Sequence, residues 1–517
     1  MIQWRGVPYA APPVGPLRFR PPQPPPPWKG VRDASRFGPA APQAISPLQG
    51  LVGGQPGRWS EDCLYLNVFA PTDGRAGLPV MVWIHGGAFI GGSGSARWYD
   101  GGRFAAGGEV VVVTLNYRLG ALGFLELGAV AGDRYREAGN CGILDQLAAL
   151  GWVRDNIAAF GGDPAQVTVF GESAGAMSIG VMLAMPAAGG LFHRAILQSG
   201  AASAYRTRDQ AEHVTERLLA ALGGPVEDLV AAPVERILEA QVAVTGSSDA
   251  ASYLAFRPVV DGVNVAEAPD RAIAAGRGAD IPVIVGTNRD EMTLFLAFDR
   301  GIGEMSADQL DRRLGATIGA SLWRRLEGGY RAARRAAGLD GAAGLDGAAT
   351  AAGFDGVAGV AGFDGAAGVA RAELLVAVTT DLVFRIPALR LAEGLTTARA
   401  APVWMYRFDW TSPAAGGRLG ATHALDIPFV WNLVDVPGVE LFTGEAPGRR
   451  SLAAAMHAAW LAFATSGDPT TPLLPPWPRY APPGRSTMVF DAECQVLDDP
   501  NGTERRIWDE AGPAEAS

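Results

Sequence analysis

Cysteine is scarce in this chain: 517 residues carry three, Cys63, Cys141 and Cys494. An odd count this small, without the paired spacing of metal ligands, excludes a disulfide framework and a zinc site and leaves reduced, structural thiols. Lysine is scarcer still. Lys29 stands alone among many arginines, a pattern that looks like the codon bias of a GC-rich genome and from which no chemistry follows. Long apolar runs are missing too: none reaches the ~18 residues of a membrane span, and the opening MIQWRGVPYAAPP has neither a basic leader nor an apolar signal core. No basic stripe offsets a net charge of -10 and a pI near 5.2, which argues against a phosphate-binding surface. The expectation is a soluble, cytoplasmic protein with no nucleic-acid and no membrane partner.

What is present is order of a particular kind. After a proline-rich start of about sixty residues, including PPQPPPPW at Pro21 to Trp28, which should be extended and irregular, β-type runs alternate with helical patterns. LYLNVFAP, PVMVWIHGG and VVVVTLNYR read as strands. GILDQLAALGWVRDNIAAFGG then places Ile143, Leu147, Leu150 and Ile157 on one helical face. The strands QVTVFG, RAILQSGA and IPVIVGTN follow, with an amphipathic helix near Thr207 to Leu222. Such alternation predicts an α/β fold with a mostly parallel central sheet flanked by helices. One segment breaks it: residues 338–370 repeat the theme G-(L/F)-D-G in alanine and valine filler. Asp340, Asp346, Asp355 and Asp364 are too unevenly spaced for a calcium-binding β-roll, so a low-complexity surface insertion is expected.

The stretch VTVFGESAGAMSIG, Val167 to Gly180, is where chemistry concentrates. Gly171-Glu172-Ser173-Ala174-Gly175 joins a buried strand to a helix in the G-x-S-x-G pattern of a nucleophile elbow. The glycines permit a turn sharp enough to expose the Ser173 hydroxyl, and the helix start behind it offers free N–H groups to a developing anion. A serine nucleophile requires a base, and five histidines are available. In this fold the chain order is serine, acid, histidine. That order removes His85 and leaves His193 too close behind the serine. His213 falls in a charged helix, and His457 in the helical run LAAAMHAAWLAFA suits packing or capping. His423 remains, in the loop GATHALDIPF beyond the β-run VWMYRFDW. For the acid, Asp290 and Glu291 both follow the strand Ile281 to Val285, and either could orient an imidazole. HGGAF, His85 to Phe89, follows the strand VMVWI and suits an oxyanion loop, with donors at Gly87 and Ala88 and a third at Ala174 after the serine.

The ordered blocks RGVPYAAPPVGPLRF, SEDCLYLNVFAP, VWIHGGAF, NYRLGALGFL, FGGDP, FGESAGA, FHRAILQSG, GTNRDE and HALDIPFVW run through nearly the whole chain. Together they resemble the type-B carboxylesterase and cholinesterase family, closest in character to bacterial para-nitrobenzyl esterases. The resemblance implies one α/β-hydrolase domain over residues 1–517 and a serine carboxylesterase acting on a small-molecule ester, with no cofactor and no metal. It also implies Glu291 as the acid with His423 as the base, supporting roles for Glu172 and Ser199, and a structural ion pair between Arg118 and Asp145. Cys63 has no upstream cysteine for the loop disulfide of secreted relatives, and no tryptophan-bearing choline segment precedes SEDC, which sets a cholinesterase aside. An amidase, carbamate hydrolase or thioesterase on the same site is the alternative, and a non-catalytic adhesion-type relative is disfavoured by the full set of site residues. Oligomeric state is not legible; a monomer is the working expectation.

Overall fold

The β-branched runs become the centre of a ten-stranded sheet. The computed structural model describes residues 1–45, 50, 53–54, 57–246, 254–297, 299, 301–302, 305–336, 366–397 and 400–512. Its strands are β1 (Ile2–Pro8), β2 (Tyr65–Ala70), β3 (Leu78–Ile84), β4 (Val111–Leu115), β5 (Gly162–Glu172), β6 (Arg194–Gln198), the short detached pair β7 (Arg206–Thr207) and β8 (Val259–Val260), then β9 (Val283–Asn288), β10 (Val403–Phe408), β11 (Ser486–Phe490) and β12 (Gln495–Asp498). The sheet order is β1-β2-β4-β3-β5-β6-β9-β10-β11-β12. Every pairing from β4 across to β11 is parallel, and antiparallel strands close both edges. The mostly parallel sheet expected from the alternating pattern is therefore present.

Alternation along β3 shows how the two faces are covered. Val80, Val82 and Ile84 enter one apolar cluster with Ile143, Leu150 and Ile179, whereas Met81 and Trp83 enter the other with Phe170, Trp431 and Trp460. A period of two sends successive side chains to opposite faces, and helices bury both. Helices Cys141–Asn156 and Ala174–Ala184 cover the first face and Arg449–Ser466 the second. Ile143, Leu147 and Leu150 are buried as their spacing predicts, while Ile157 lies just past the helix in a 3-10 turn, also buried. The helix Arg208–Leu222 starts on a capping box in which Thr207 and Gln210 exchange hydrogen bonds.

One expectation changes. The first residues are not irregular throughout: Ile2–Pro8 pairs antiparallel with β2, bulging between Trp4 and Val7, and Trp4 packs edge-on against Phe160 at 4.9 Å. Edge pairing tolerates Pro8 as the strand's last residue, and the further prolines lie after it. The G-(L/F)-D-G repeats with Asp340, Asp346, Asp355 and Asp364 lie outside the described residues, but the last part of 338–370 does not, because a helix runs over Ala366–Thr380. Among the described residues no helix is long and apolar enough to cross a membrane.

Parallel strands bring their carboxyl ends to one edge, where ligands bind in open α/β sheets. Glu172 of β5 pairs with Gln198 of β6, Gln198 with Gly286 of β9, and Asn288 with Phe408 of β10. The loops that follow these strands therefore start side by side. Gly286 makes the close spacing possible there: a Cβ at this position would sit inside the Tyr406 ring. Gly286→Ala should cost about 1–3 kcal/mol, as overpacking of a dense core does. Urea unfolding of parent and variant measures it, and an unchanged midpoint would show that the Tyr406 ring has room to move.

Candidate active site

The turn after β5 is strained by design of its neighbours. Ser173 has φ 55° and ψ -124°, outside the regions an L-residue ordinarily occupies. A Cβ on Gly171 would lie 2.7 Å from the Ile84 carbonyl oxygen, and one on Gly175 would strike the same carbonyl. Glycine on both sides is thus a packing requirement of the turn. The Ser173 amide donates to the Gln198 carbonyl at 2.9 Å, and the Ser173 carbonyl accepts from Met177 at 2.8 Å, starting the helix Ala174–Ala184. The residue is held from both ends, with 8% of its surface exposed.

His423 and Glu291 meet nearby. Both are buried, and the imidazole Nδ1–H donates to Glu291 Oε2 at 2.6 Å. The other carboxylate oxygen of Glu291 accepts from the Asn288 amide at 2.7 Å. On its far side the ring nitrogen Nε2 lies 3.1 Å from Glu172 Oε1. His423, Glu291 and Glu172 are therefore in direct contact. Among the described residues Ser173 and His423 share no hydrogen bond; Ser173 adjoins the ring through its chain neighbour Glu172. Such bonds are often long or unmade without substrate. Ser199 lies at the end of β6 with φ 51° and a buried hydroxyl that has no partner among the described residues.

The loops carrying these groups are fastened to each other. Asp290 accepts from the Ala421 amide at 3.0 Å and donates its own amide to the Ala421 carbonyl at 3.0 Å. Asn288 Nδ2 donates to the Thr422 carbonyl at 2.7 Å, and the Thr293 hydroxyl to the Leu419 carbonyl at 2.6 Å. Asp290 also takes two hydrogen bonds from Arg289. Its carboxylate is directed to the backbone and to that arginine, and Glu291 faces the imidazole. The rings of Phe295 and Phe384 flank His423 at 5.1 and 4.7 Å.

In the loop His85 to Phe89, the residues Gly87, Ala88 and Phe89 all have positive φ, at 115°, 54° and 60°. Among the described residues, no backbone carbonyl accepts from the amides of Gly87, Ala88 or Ala174. Gly86 brings the loop against the elbow, since a Cβ there would lie 2.8 Å from Glu172 Oε2 and 3.0 Å from the Ser173 Cβ. Three free amides thus lie on the two segments that Gly86 presses together. The remaining histidines are engaged elsewhere: His193 accepts from the Val167 amide, exposed His213 lies 3.5 Å from Glu216, and His457 bonds the Val430 carbonyl and stacks on Phe104.

Comparison with known proteins places the chain in a family. The family described as the carboxylesterase family matches residues 1–508. The chain belongs to that family. It is 40% identical to the para-nitrobenzyl esterase of Bacillus subtilis over 98% of this chain and 94% of that protein. It is 36% identical to the phenmedipham hydrolase of Pseudarthrobacter oxydans over 95% and 91%. A carboxylesterase of Geobacillus stearothermophilus superposes with a TM-score of 0.80 at 40% identity, covering 98% of this chain and 96% of the other. The protein is a carboxylic ester hydrolase of the α/β-hydrolase fold.

In this carboxylesterase the Arg118–Asp145 pair is buried, with guanidinium contacts of 2.8 and 2.6 Å and an added bond from the Arg118 amide. Several residues of the site escaped the sequence reading. Asp426 and Asn288 lie inside quoted blocks, HALDIPF and GTNRDE, so block membership was their signal. Gln198, inside the block FHRAILQSG, bridges Trp460 and Asp426 beneath the site, and Phe384 arrives on a π-helical turn, Asp381–Arg385, with no local pattern that announces it.

The electrostatics follow from burial among carboxylates. Burial raises Glu172 to about 8, opposed by His423 and reinforced by Asp426 and Glu291. Burial alone would lower His423, but Glu172 and Glu291 outweigh it and raise the imidazole to about 9. The two groups touch and titrate as a pair; the direction that decides chemistry is that negative charge beside the ring favours imidazolium. A base at this position must be neutral to take a proton, so with this ring as the base the acid limb of kcat/KM would track it. Glu172→Gln removes one carboxylate and should move that limb down by ~1–2 pH units. A pH–rate profile unmoved by the change would show that Glu172 carries no charge when the ring titrates.

Proposed function

We propose that Ser173, His423 and Glu291 act as nucleophile, base and orienting acid in hydrolysis of small-molecule carboxylic esters. Ser173 Oγ attacks the ester carbonyl carbon while His423 Nε2 takes its proton. Glu291 keeps the proton on Nδ1, which leaves Nε2 as the basic nitrogen, and stabilises the imidazolium that forms. The carbonyl oxygen becomes an oxyanion received by the amides of Gly87, Ala88 and Ala174. The alcohol leaves with the proton from Nε2, and water, activated by the same ring, clears the acyl-enzyme. The observation that carries this reading is the buried 2.6 Å bond from His423 to Glu291, beside a serine held in a strained turn.

Glu172 fits a supporting role in the same scheme. Its carboxyl lies against Nε2 in the free enzyme and would hand that nitrogen to Ser173 when substrate enters. Ser199, whose buried hydroxyl has no partner among the described residues, follows Gln198, the β6 residue paired with Glu172. The buried free thiols Cys63 and Cys141 are consistent with a reducing, cytoplasmic setting. The relative named for phenmedipham keeps a second substrate class in play on the same residues.

A fluorophosphonate probe should label Ser173 with one equivalent, and Ser173→Ala should abolish labelling and turnover together; activity surviving in the alanine variant refutes the nucleophile. Glu291→Gln should lower kcat by on the order of 10³–10⁴, whereas Asp290→Asn should act on loop stability by about 1 kcal/mol and leave kcat within a few-fold. The reverse ranking in folded protein would exchange their roles. Para-nitrophenyl esters assayed beside matched anilides, carbamates and thioesters set the substrate class, with esters expected to lead.

A further inference from the structure

The three amides proposed to receive the oxyanion differ in what holds them. In a trans peptide the C=O of one residue and the N–H of the next point in opposite directions within one plane. Fixing the carbonyl therefore aims the amide. The Ser173 carbonyl is held by the Met177 amide, which aims Ala174. The Gly87 carbonyl accepts from Ile90 and Gly91, both at 3.0 Å, which aims Ala88. The Gly86 carbonyl, partner of the Gly87 amide, is held instead by a side chain: His85 Nδ1 lies 2.8 Å away.

We infer that His85 is a positioning residue whose Nδ1–H fixes the Gly86–Gly87 peptide plane and so aims the Gly87 amide at the oxyanion. The inference rests on the reading of Gly87 as an oxyanion donor. Glycine on both sides makes this peptide unit the one best able to turn over, and a turned unit would present a carbonyl to the anion. The ring has no freedom of its own. It is 1% exposed, stacks on Tyr117 at 4.5 Å, and the Tyr117 hydroxyl donates to the His85 carbonyl at 2.8 Å. Gly92 closes the other side, with no room for a Cβ between the Gly86 oxygen and His85 Nδ1. Gln43 fixes Gly92 by bonding both its amide and its carbonyl at 2.9 Å.

Only one tautomer can donate to a carbonyl here, and it leaves Nε2 bare. Nε2 is buried with no partner among the described residues, as that tautomer allows. Burial lowers the ring to about 4, against the pull of the Gly86 carbonyl, so it stays neutral through the working range.

The test uses side chains that keep or lose the donor. Asparagine can place an N–H near the Nδ1 position, glutamine places it further out, and leucine has none. His85→Leu and His85→Gln should lower kcat by about 10²-fold with KM within threefold, the loss expected of one oxyanion donor. His85→Asn should recover to within about fivefold of the parent. Affinity for a trifluoromethyl ketone, which forms a tetrahedral adduct on the serine, should fall in step with kcat/KM. Equal activity in all three variants overturns the positioning role while leaving the donors intact. A loss of kcat without loss of ketone affinity instead refutes Gly87 as a donor, and so the reading beneath. Should leucine and glutamine both fail to fold, imidazole ¹⁵N shifts of the parent decide: a protonated Nδ1 and bare Nε2 from pH 5 to 8 support the inference, and an Nε2–H tautomer overturns it.

Discussion

A buried imidazole between two carboxylates is the constraint around which this esterase is arranged. His423 touches Glu291 through Nδ1 and Glu172 through Nε2, and all three side chains are shielded from water. Charges in such a place are tolerated only when paired and hydrogen-bonded. The surrounding chain meets that demand at Glu291 through the Asn288 amide, and ties the two loops together by the paired Asp290–Ala421 bonds and by Asn288 Nδ2 on the Thr422 carbonyl; Glu172 Oε1 faces the ring with no hydrogen-bond partner among the described residues. Beneath them Asp426 accepts from Gln198 and Tyr406, side chains of β6 and β10. The loops after β9 and β10 are therefore tied to each other and to the sheet, which gives the Glu291–His423 geometry its rigidity.

The same edge of the sheet concentrates backbone strain. Ala88, Phe89, Ser173, Ser199 and Ala424 all have positive φ without being glycine. Each such residue costs of order 1–3 kcal/mol and persists only where its surroundings over-determine it. Here the over-determination is visible: Ser173 is tied to Gln198 and Met177, Ser199 to the Gly286 carbonyl, and Phe89 to Gly120. Buried strands below supply the stability that holds these turns, consistent with a large apolar core on both faces.

The features legible in the sequence were those with a local cause. Parallel strands announce themselves as short apolar runs, and the elbow as a serine between glycines that packing cannot replace. His423 followed from chain order and from the failure of four other histidines to fit. The choice between Asp290 and Glu291 was not local. Adjacent carboxylates point to different partners because of loops over a hundred residues away, at Ala421 and His423, and family resemblance supplied what spacing could not. Gln43 and Phe384 were invisible for the same reason, since each acts on the site through a contact distant in sequence. The early strand Ile2–Pro8 was hidden differently: the prolines that follow it outweighed a short alternation that pairs with β2.

Two buried histidines at this edge of the sheet show how environment, not residue type, sets their protonation. Both are buried, and burial alone disfavours imidazolium in each. His85 meets a backbone carbonyl and no carboxylate, so burial prevails and the ring is held neutral near 4. His423 meets Glu172, Glu291 and Asp426, and their combined charge reverses the outcome to about 9. The first ring can therefore do nothing but donate one fixed hydrogen bond, which suits a strut. The second can gain and lose a proton with small changes around it, which suits a base. Entry of an ester that draws Ser173 toward Nε2 and displaces Glu172 would remove one of the charges holding the proton there. In the proposed mechanism the ring would then become a stronger proton donor at the stage when the alcohol must leave, and the carboxylate beside Ser173 would tune the step after attack as well as the attack itself.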